Sequence, residues 1–217
     1  MDQRLLRSLE RNLLGFWMEI EKLRKSIGKK VQKRLKEFSE VEDWFSELCF
    51  CILTANSRAK SAIEIQKEMG GCGFRERSCD EVRDCIKKNK HRFHNNKAKC
   101  IVEAREHEDI KEKVKSIVAD KGEKAARAWL ARNVKGIGYK EASHFMRNVG
   151  YRNLAILDRH IINVMHENGI IDKPKSLTVT KYLEIESEFE KLAKKYGISC
   201  AELDLYLWYM KTGEVLK

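Results

Sequence analysis

The sequence predicts an all-α protein. Only one proline, Pro174, stands among 217 residues, and the β-branched runs typical of strands are missing. Serines followed three residues later by glutamate precede apolar runs with helical spacing, which is the pattern of a helix N-terminus. Three such pairs are present: Ser39 with Glu42, Ser78 with Glu81, and Ser199 with Glu202.

Apolar spacing and glycine positions predict where the helices lie. A helix is predicted over 2–26, with a shorter one after it. The next, Val41 to Leu53, is apolar on nearly every side, so we expect it at the centre of the fold. Glycines at 70–73 and 136–138 are expected to separate helices. Further helices are predicted at 58–69, 79–88, 95–107, 109–119, 122–132, 139–149, 159–168, 179–195 and 200–211.

Composition limits the class of protein. Hydrophobic residues make up 42% of the chain, enough to bury an interior, and no run of 18 apolar residues is present to span a membrane. The first residues lack the apolar core of a signal peptide. We therefore expect a protein of the cytoplasm, working as a monomer.

The charge is strongly basic. Lysine and arginine number 44 against 33 acidic residues, a net charge of +11. Such an excess attracts polyanions, of which nucleic acid is the commonest. The alternatives are a charge that serves general solubility, or the charge-rich surface of a heat-adapted protein.

The cysteines argue against a metal cluster. Seven are present, an odd number, and no two are separated by two residues as zinc or iron–sulfur ligands usually are. Cys72, Cys79 and Cys85 lack that spacing as well. We expect reduced thiols, most of them buried.

The segment 131–142 carries the most informative pattern, a G-x-G turn between two predicted helices. Gly136 and Gly138 permit positive φ and keep side chains out of the turn, while Ile137 between them can pack inward. Backbone N–H groups at the start of the second helix are then free to face a phosphate. An ordinary helix–helix corner is the alternative for this turn alone.

Lys140 follows the turn, in the first helical turn after it. The helix dipole disfavours the charged form of a lysine at this position, and only the neutral amine is a nucleophile. Asp158 comes after the apolar run 154–157 and directly before another helix, so it is predicted to cap that helix. The same carboxylate can stabilise positive charge developing on a sugar and orient Lys140.

These two motifs, V-K-G-I-G-Y-K (134–140) and L-D-R-H (157–160), resemble the helix-hairpin-helix–Gly/Pro/Asp superfamily of DNA glycosylases. In that superfamily the lysine marks members that also cut the strand. The chain departs from the usual hairpin by placing Lys135 where proline stands. The resemblance implies that Lys140 and Asp158 are catalytic. The residues it implies as phosphate contacts are Lys135, Gly136, Ile137, Gly138, Arg159 and His160. It also implies a sodium or potassium ion on the carbonyls of Arg132, Val134 and Ile137.

The end of the sequence narrows the resemblance to the archaeal-type 8-oxoguanine DNA glycosylases, the second of three such families. The segment G-I-G-Y-K-E-A-S-H-F and a tryptophan nine residues before a final lysine carry it. It implies that Lys217 and its carboxylate bond the flipped guanine, and that Trp208 lines the base pocket. Core packing is the alternative for Trp208, and a frayed tail for Lys217.

Two other segments match elements that enter the DNA. The segment 52–58 resembles the one whose amide side chain fills the gap left by the extruded nucleotide, here Asn56, with Arg58 beside it. The segment 91–98 resembles the loop carrying an aromatic wedge, here Phe93. A helix-cap or core role is the alternative for both.

The resemblance as a whole implies two helical lobes with the active site in the cleft between them. Residues 1–44 and 151–217 are expected to form one lobe, and 45–150 the other, ending in the hairpin at about 122–149. The implied activity is excision of 8-oxoguanine from duplex DNA through a lysine Schiff base, followed by β-elimination. One cysteine in the last hundred residues leaves no ligands for the iron–sulfur cluster of related glycosylases. The alternatives are a glycosylase/lyase for oxidised pyrimidines and a non-catalytic DNA-binding module.

Overall fold

A computed structural model describes residues 3–217, with side chains from residue 14 onward, and every regular element within that range is helical. The all-α prediction is therefore confirmed. The helices are α1 (Gln3–Ser39), α2 (Trp44–Thr54), α3 (Ala59–Glu76), α4 (Cys79–Lys88), α5 (His94–Glu103), α6 (Ile110–Lys121), α7 (Glu123–Asn133), α8 (Tyr139–Asn148), α9 (Arg159–Glu167), α10 (Val179–Lys195) and α11 (Cys200–Thr212). A 3₁₀ turn, Ala104–His107, lies between α5 and α6. None of the described helices combines the length and hydrophobicity needed to cross a bilayer.

The prediction for the start of the chain was wrong in two respects. α1 continues to Ser39 because its buried stripe, including Ile20, Val31 and Leu35, keeps helical spacing beyond residue 26. Ser39 therefore ends a helix and does not cap one. Asp43 caps α2 instead, its carboxylate accepting the Ser46 N–H at 2.9 Å.

The other predicted caps are confirmed. Ser78 and Glu81 exchange both bonds of a capping box at the start of α4. The Ser199 hydroxyl accepts the Glu202 N–H at 3.1 Å and begins α11. The expected break at the glycines near residue 70 is a kink at Gly70, with φ 63°, after which α3 resumes as far as Glu76.

The chain divides into two compact units. The terminal unit comprises the residues up to Glu37 together with Arg152–Leu216, and the central unit comprises Phe38–Tyr151 with Lys217. In the central unit every residue of α2 is buried, as its apolar sequence predicts, and α3, α5, α6 and α8 pack against it. In the terminal unit α11 packs against α9 and α10. Trp17 of α1 stacks on Tyr196 there, with ring centroids 3.9 Å apart.

Candidate active site

The hairpin between α7 and α8 is held tightly against the central unit. Gly136 has φ 85°, and a Cβ there would lie 3.1 Å from the Cys100 sulfur, so both the conformation and the space require glycine. Ile137 packs inward and is 5% exposed. Its N–H donates to the Val134 carbonyl at 3.2 Å, which closes the turn.

Glu141 joins this turn to the lysine that follows it. Gly138 caps α8, and its N–H donates to Glu141 Oε2 at 3.3 Å. This is one half of a capping box; glycine has no side chain to form the other half. The other carboxylate oxygen, Oε1, accepts from Lys140 Nζ at 3.2 Å. Lys140 is about one quarter exposed. Glu141 was not among the predicted site residues, although its position three residues after the cap was the available signal.

His144 lies one helical turn after Lys140 and is buried. Its ring meets Phe50 edge-on, with centroids 5.8 Å apart. Burial lowers the pKa of His144 well below its ordinary value, and the positive charges of Arg147, Lys140 and Lys217 lower it further. The imidazole beside the predicted nucleophile is therefore neutral at pH 7.

Lys217 is anchored inside the central unit. Its Nζ donates to Glu47 Oε2 at 2.8 Å and to Gln66 Oε1 at 2.6 Å, and lies 4.5 Å from the centre of the Phe50 ring. Glu47 is 3% exposed, and its other oxygen accepts from Asn148 Nδ2 at 2.7 Å. A frayed tail would make none of these bonds. Glu47 and Gln66 are two residues that the sequence reasoning missed.

Asp158 caps α9 in the terminal unit, as predicted. Its Oδ1 accepts the N–H groups of His160 at 2.8 Å and Ile161 at 2.9 Å. Both bonds end on Oδ1, so Oδ2 keeps its lone pairs for another partner. The cap thus fixes the direction of the carboxylate and leaves one oxygen to act.

The extended segment before Asp158 is fixed by α10. The Ala155 N–H donates to Glu186 at 3.1 Å. The Tyr182 hydroxyl donates to the Ala155 carbonyl at 2.7 Å and accepts the Leu157 N–H at 3.3 Å. Because these partners are buried, the approach to Asp158 is rigid.

Trp208 lies on α11 in the terminal unit, where His160 meets it edge-on with centroids 5.8 Å apart. Its indole N–H is shielded from solvent and bonds to no described residue. Buried indole N–H groups usually have a partner. Arg159, the first residue of α9, is exposed.

Two exposed turns of the central unit carry the residues predicted to enter DNA. Asn56 has φ 54° and Phe93 has φ 58°, a conformation rare outside glycine. Phe93 is 53% exposed, and the Arg92 guanidinium lies 5.0 Å from its ring centre. Arg58 is exposed at the start of α3.

The hairpin lysine, Lys135, forms an exposed ion pair with Glu103 at 2.8 Å. Such exposed pairs contribute only about 0–1 kcal/mol to the free energy of unfolding, so the Lys135 side chain remains available to a phosphate. The Val134 carbonyl accepts the Ile137 N–H, which leaves it one lone pair. The carbonyls of Arg132, Val134 and Ile137 are the hard oxygen donors that suit sodium or potassium. The seven cysteines are free thiols, as expected, and five of them are buried.

The sequence was compared with protein families and with known proteins, and one family matches it. A family model described as 8-oxoguanine DNA glycosylase matches residues 31–198. A relative from Methanocaldococcus jannaschii named 8-oxoguanine DNA glycosylase/AP lyase is 48% identical over 206 residues, covering 92% of this chain and 98% of the relative. A relative of the same name from Aquifex aeolicus is 42% identical over 224 residues, with the same two coverages.

Solved structures agree in fold. The crystal structure of the Methanocaldococcus jannaschii 8-oxoguanine glycosylase/lyase with 15mer DNA containing 8-oxoguanine has a TM-score of 0.87 and 46% identity. It covers 92% of this chain and 98% of its own. The 8-oxoguanine DNA glycosylase of Thermotoga maritima also has a TM-score of 0.87, with 37% identity and coverages of 94% and 100%.

Proposed function

This chain belongs to the 8-oxoguanine DNA glycosylase family, and from that membership we propose that it excises 8-oxoguanine from duplex DNA and then cuts the strand as an AP lyase. The observation that carries the mechanism is the position of Lys140. It is the second residue of α8, directly after the glycine hairpin, with its amine on Glu141 and a neutral His144 one turn away.

The proposed reaction runs through a Schiff base. The Lys140 ammonium first gives up a proton to water; its Nζ then attacks C1′ of the damaged nucleotide, and the C1′–N9 bond breaks. 8-Oxoguanine leaves with that electron pair and takes up the proton that the lysine nitrogen releases. The C1′–O4′ bond then breaks, O4′ takes up a proton, and a protonated imine forms between Lys140 and C1′. Removal of a C2′ proton then expels the 3′ phosphate by β-elimination. Water hydrolyses the remaining imine and frees the lysine.

Asp158 is the carboxylate proposed to stabilise positive charge on the sugar as the glycosidic bond breaks. Its two cap bonds support this role, because they hold the group still without using Oδ2. A carboxylate that needs no reorganisation during the reaction stabilises developing charge most effectively.

Trp208 and Lys217 are proposed to recognise the base. The unbonded indole N–H of Trp208 and the fixed ammonium of Lys217 support this assignment. Removing Lys217 should lower excision of 8-oxoguanine far more than cleavage at a preformed abasic site, because the abasic site carries no base to recognise. Single-turnover assays on both substrates measure the difference. An equal loss on both would mean that Lys217 serves the fold alone.

Duplex DNA is the proposed partner, and in a prokaryote the protein would associate with the nucleoid. The hairpin, from Lys135 to Gly138, is proposed to bind phosphates, with a sodium or potassium ion on its carbonyls. Arg58, Arg159 and His160 are further proposed DNA contacts. The net charge of +11 supports binding to a polyanion. No redox cofactor takes part in the proposed chemistry.

The experiment that tests the function is a substrate panel. Duplexes carry 8-oxoguanine opposite each of the four bases, thymine glycol, or undamaged guanine, and products are resolved before and after alkali. We expect base loss and a nick at 8-oxoguanine. Cleavage of thymine glycol in preference would identify an oxidised-pyrimidine enzyme. Binding without cleavage on any substrate would identify a DNA-binding module.

A further inference from the structure

Lys97 of α5 is a buried lysine to which the proposed chemistry gives no task. It is 4% exposed. Its ammonium donates to the carbonyls of Ile52 at 3.1 Å and Ala55 at 2.7 Å, and also to that of Leu53. These carbonyls belong to the end of α2 and the residue after it, where a helix leaves its acceptors unpaired. Three donors thus meet three acceptors, and the charge sits at the negative end of the helix dipole.

The same residue is bonded to both exposed turns of the central unit. Through its side chain it holds the Ala55 carbonyl, directly before Asn56. Through its backbone N–H it holds the Phe93 carbonyl at 2.9 Å. Lys97 is therefore a bridge of one residue between two turns that are 37 positions apart in the sequence.

Both turns store strain at an exposed surface. In the described chain Asn56, Lys90 and Phe93 are the non-glycine residues with positive φ. Such a conformation costs about 1–3 kcal/mol and persists where the surroundings enforce it, often at functional sites. One turn presents an apolar ring with Arg92 over it, and the other an amide. These are the side-chain types that unstack a base step and replace a missing base.

We propose that Lys97 is a positioning residue for DNA opening, an internal cation that fixes the Asn56 turn and the Phe93 turn as one unit. This inference rests on the proposed function for its substrate, and it adds a step distinct from the Lys140 chemistry. If either turn were displaced by about an ångström, its side chain would miss the base step. The rate of opening the duplex would then fall, whereas the rate of forming the Schiff base would not.

The charge on this bridge responds to pH near neutrality. Burial lowers the pKa of Lys97 to about 8, and Lys140 of α8 lowers it as well, while Glu141 of α8 and Cys100 of α5 raise it. His91, before α5, has its own pKa lowered, by burial first and also by Lys97. Lys97 is therefore mostly charged below pH 8, and above it the amine keeps two donors for three carbonyls.

The test separates opening from chemistry. Lys97→Met removes the charge and the donors while keeping the side chain's length, and Lys99→Met, at an exposed site of the same helix, is the matched control. Opening is followed by 2-aminopurine fluorescence beside an abasic site in a duplex. Chemistry is followed by borohydride trapping on a single-stranded abasic oligonucleotide, which needs no opening. An abasic site is used so that the result holds whichever base the enzyme prefers.

We expect Lys97→Met to slow opening about tenfold while its trapping on single strands stays at the wild-type level. Lys99→Met should match the wild type in both assays. Wild-type opening should decline from pH 7 to pH 9 as Lys97 loses its charge, and this decline should be absent in Lys97→Met. Circular dichroism checks that each variant is folded. Lys97→Gln keeps two neutral donors, so its rate of opening should fall between those of the wild type and Lys97→Met.

Opening by Lys97→Met at the Lys99→Met rate would overturn the proposal, as would equal losses of opening and trapping in both Lys97 variants. Failure of the proposed function has a different signature, since wild-type enzyme would then leave 8-oxoguanine duplexes intact and give no trapped product.

Discussion

The starts of α8 and α9 are built in opposite ways. At α8 the cap is Gly138, and the carboxylate near the helix start comes from Glu141, three residues later, which also takes the Lys140 amine. At α9 the cap residue Asp158 supplies the carboxylate itself, with two backbone N–H groups on one of its oxygens. The cap residue of α8 therefore has no side chain, whereas the cap residue of α9 carries the negative charge.

The difference indicates how each start serves DNA chemistry. A glycine cap lets a phosphate approach backbone N–H groups closely, and the separate Glu141 carboxylate holds the Lys140 amine. An aspartate cap instead fixes a carboxylate whose free oxygen can face positive charge. At α8 the functional group and the cap are separate residues, whereas at α9 one residue does both. Substitutions should therefore separate function from helix stability in different ways at the two sites.

The largest effect in this comparison is expected from Asp158→Asn. Asparagine caps helices as well as aspartate does, so the free energy of unfolding should change by less than about 0.5 kcal/mol. Loss of the charge should lower the single-turnover rate of excision by about 10²-fold or more. Asp158→Ala, which loses the cap as well, should lower the free energy of unfolding by about 1 kcal/mol. Wild-type excision by Asp158→Asn would show that Asp158 is only a cap.

A smaller effect is expected from Glu141→Gln. The amide can still accept the Gly138 N–H, but it no longer forms an ion pair with the Lys140 amine. Because this ion pair positions the amine, the single-turnover rate of excision should fall by about tenfold. Glu81→Gln alters the same capping position in α4, away from any predicted site residue, and provides the control. Both variants should lose similar stability in urea, about 1 kcal/mol or less. Equal excision by the two variants would reduce Glu141 to an ordinary capping residue.

Local patterns predicted the helices and most of their starts. Ser78, Ser199 and Asp158 cap helices as expected, because capping depends on residues only three positions apart. The exception is Ser39, where the buried stripe of α1 extended the helix past the expected cap. Packing along a whole helix outweighs the preference of one residue at its end.

The contacts that complete the site depend on distant parts of the chain and could not be predicted locally. Lys217 meets Glu47 across 170 positions, and Lys97 meets the end of α2 across more than 40. Apolar spacing alone marks such lysines as exposed, because an unpaired buried charge is costly. Only the fold supplies the carboxylate and the carbonyls that pair with them.

Borohydride trapping of the Schiff base on a duplex with 8-oxoguanine tests the role of Lys140 most directly. Wild-type protein should give a covalent protein–DNA band, and Lys140→Gln should give none. Lys124→Gln, also the second residue of an exposed helix start, should trap like the wild type. A band of undiminished intensity from Lys140→Gln would contradict the assignment of Lys140 as the nucleophile.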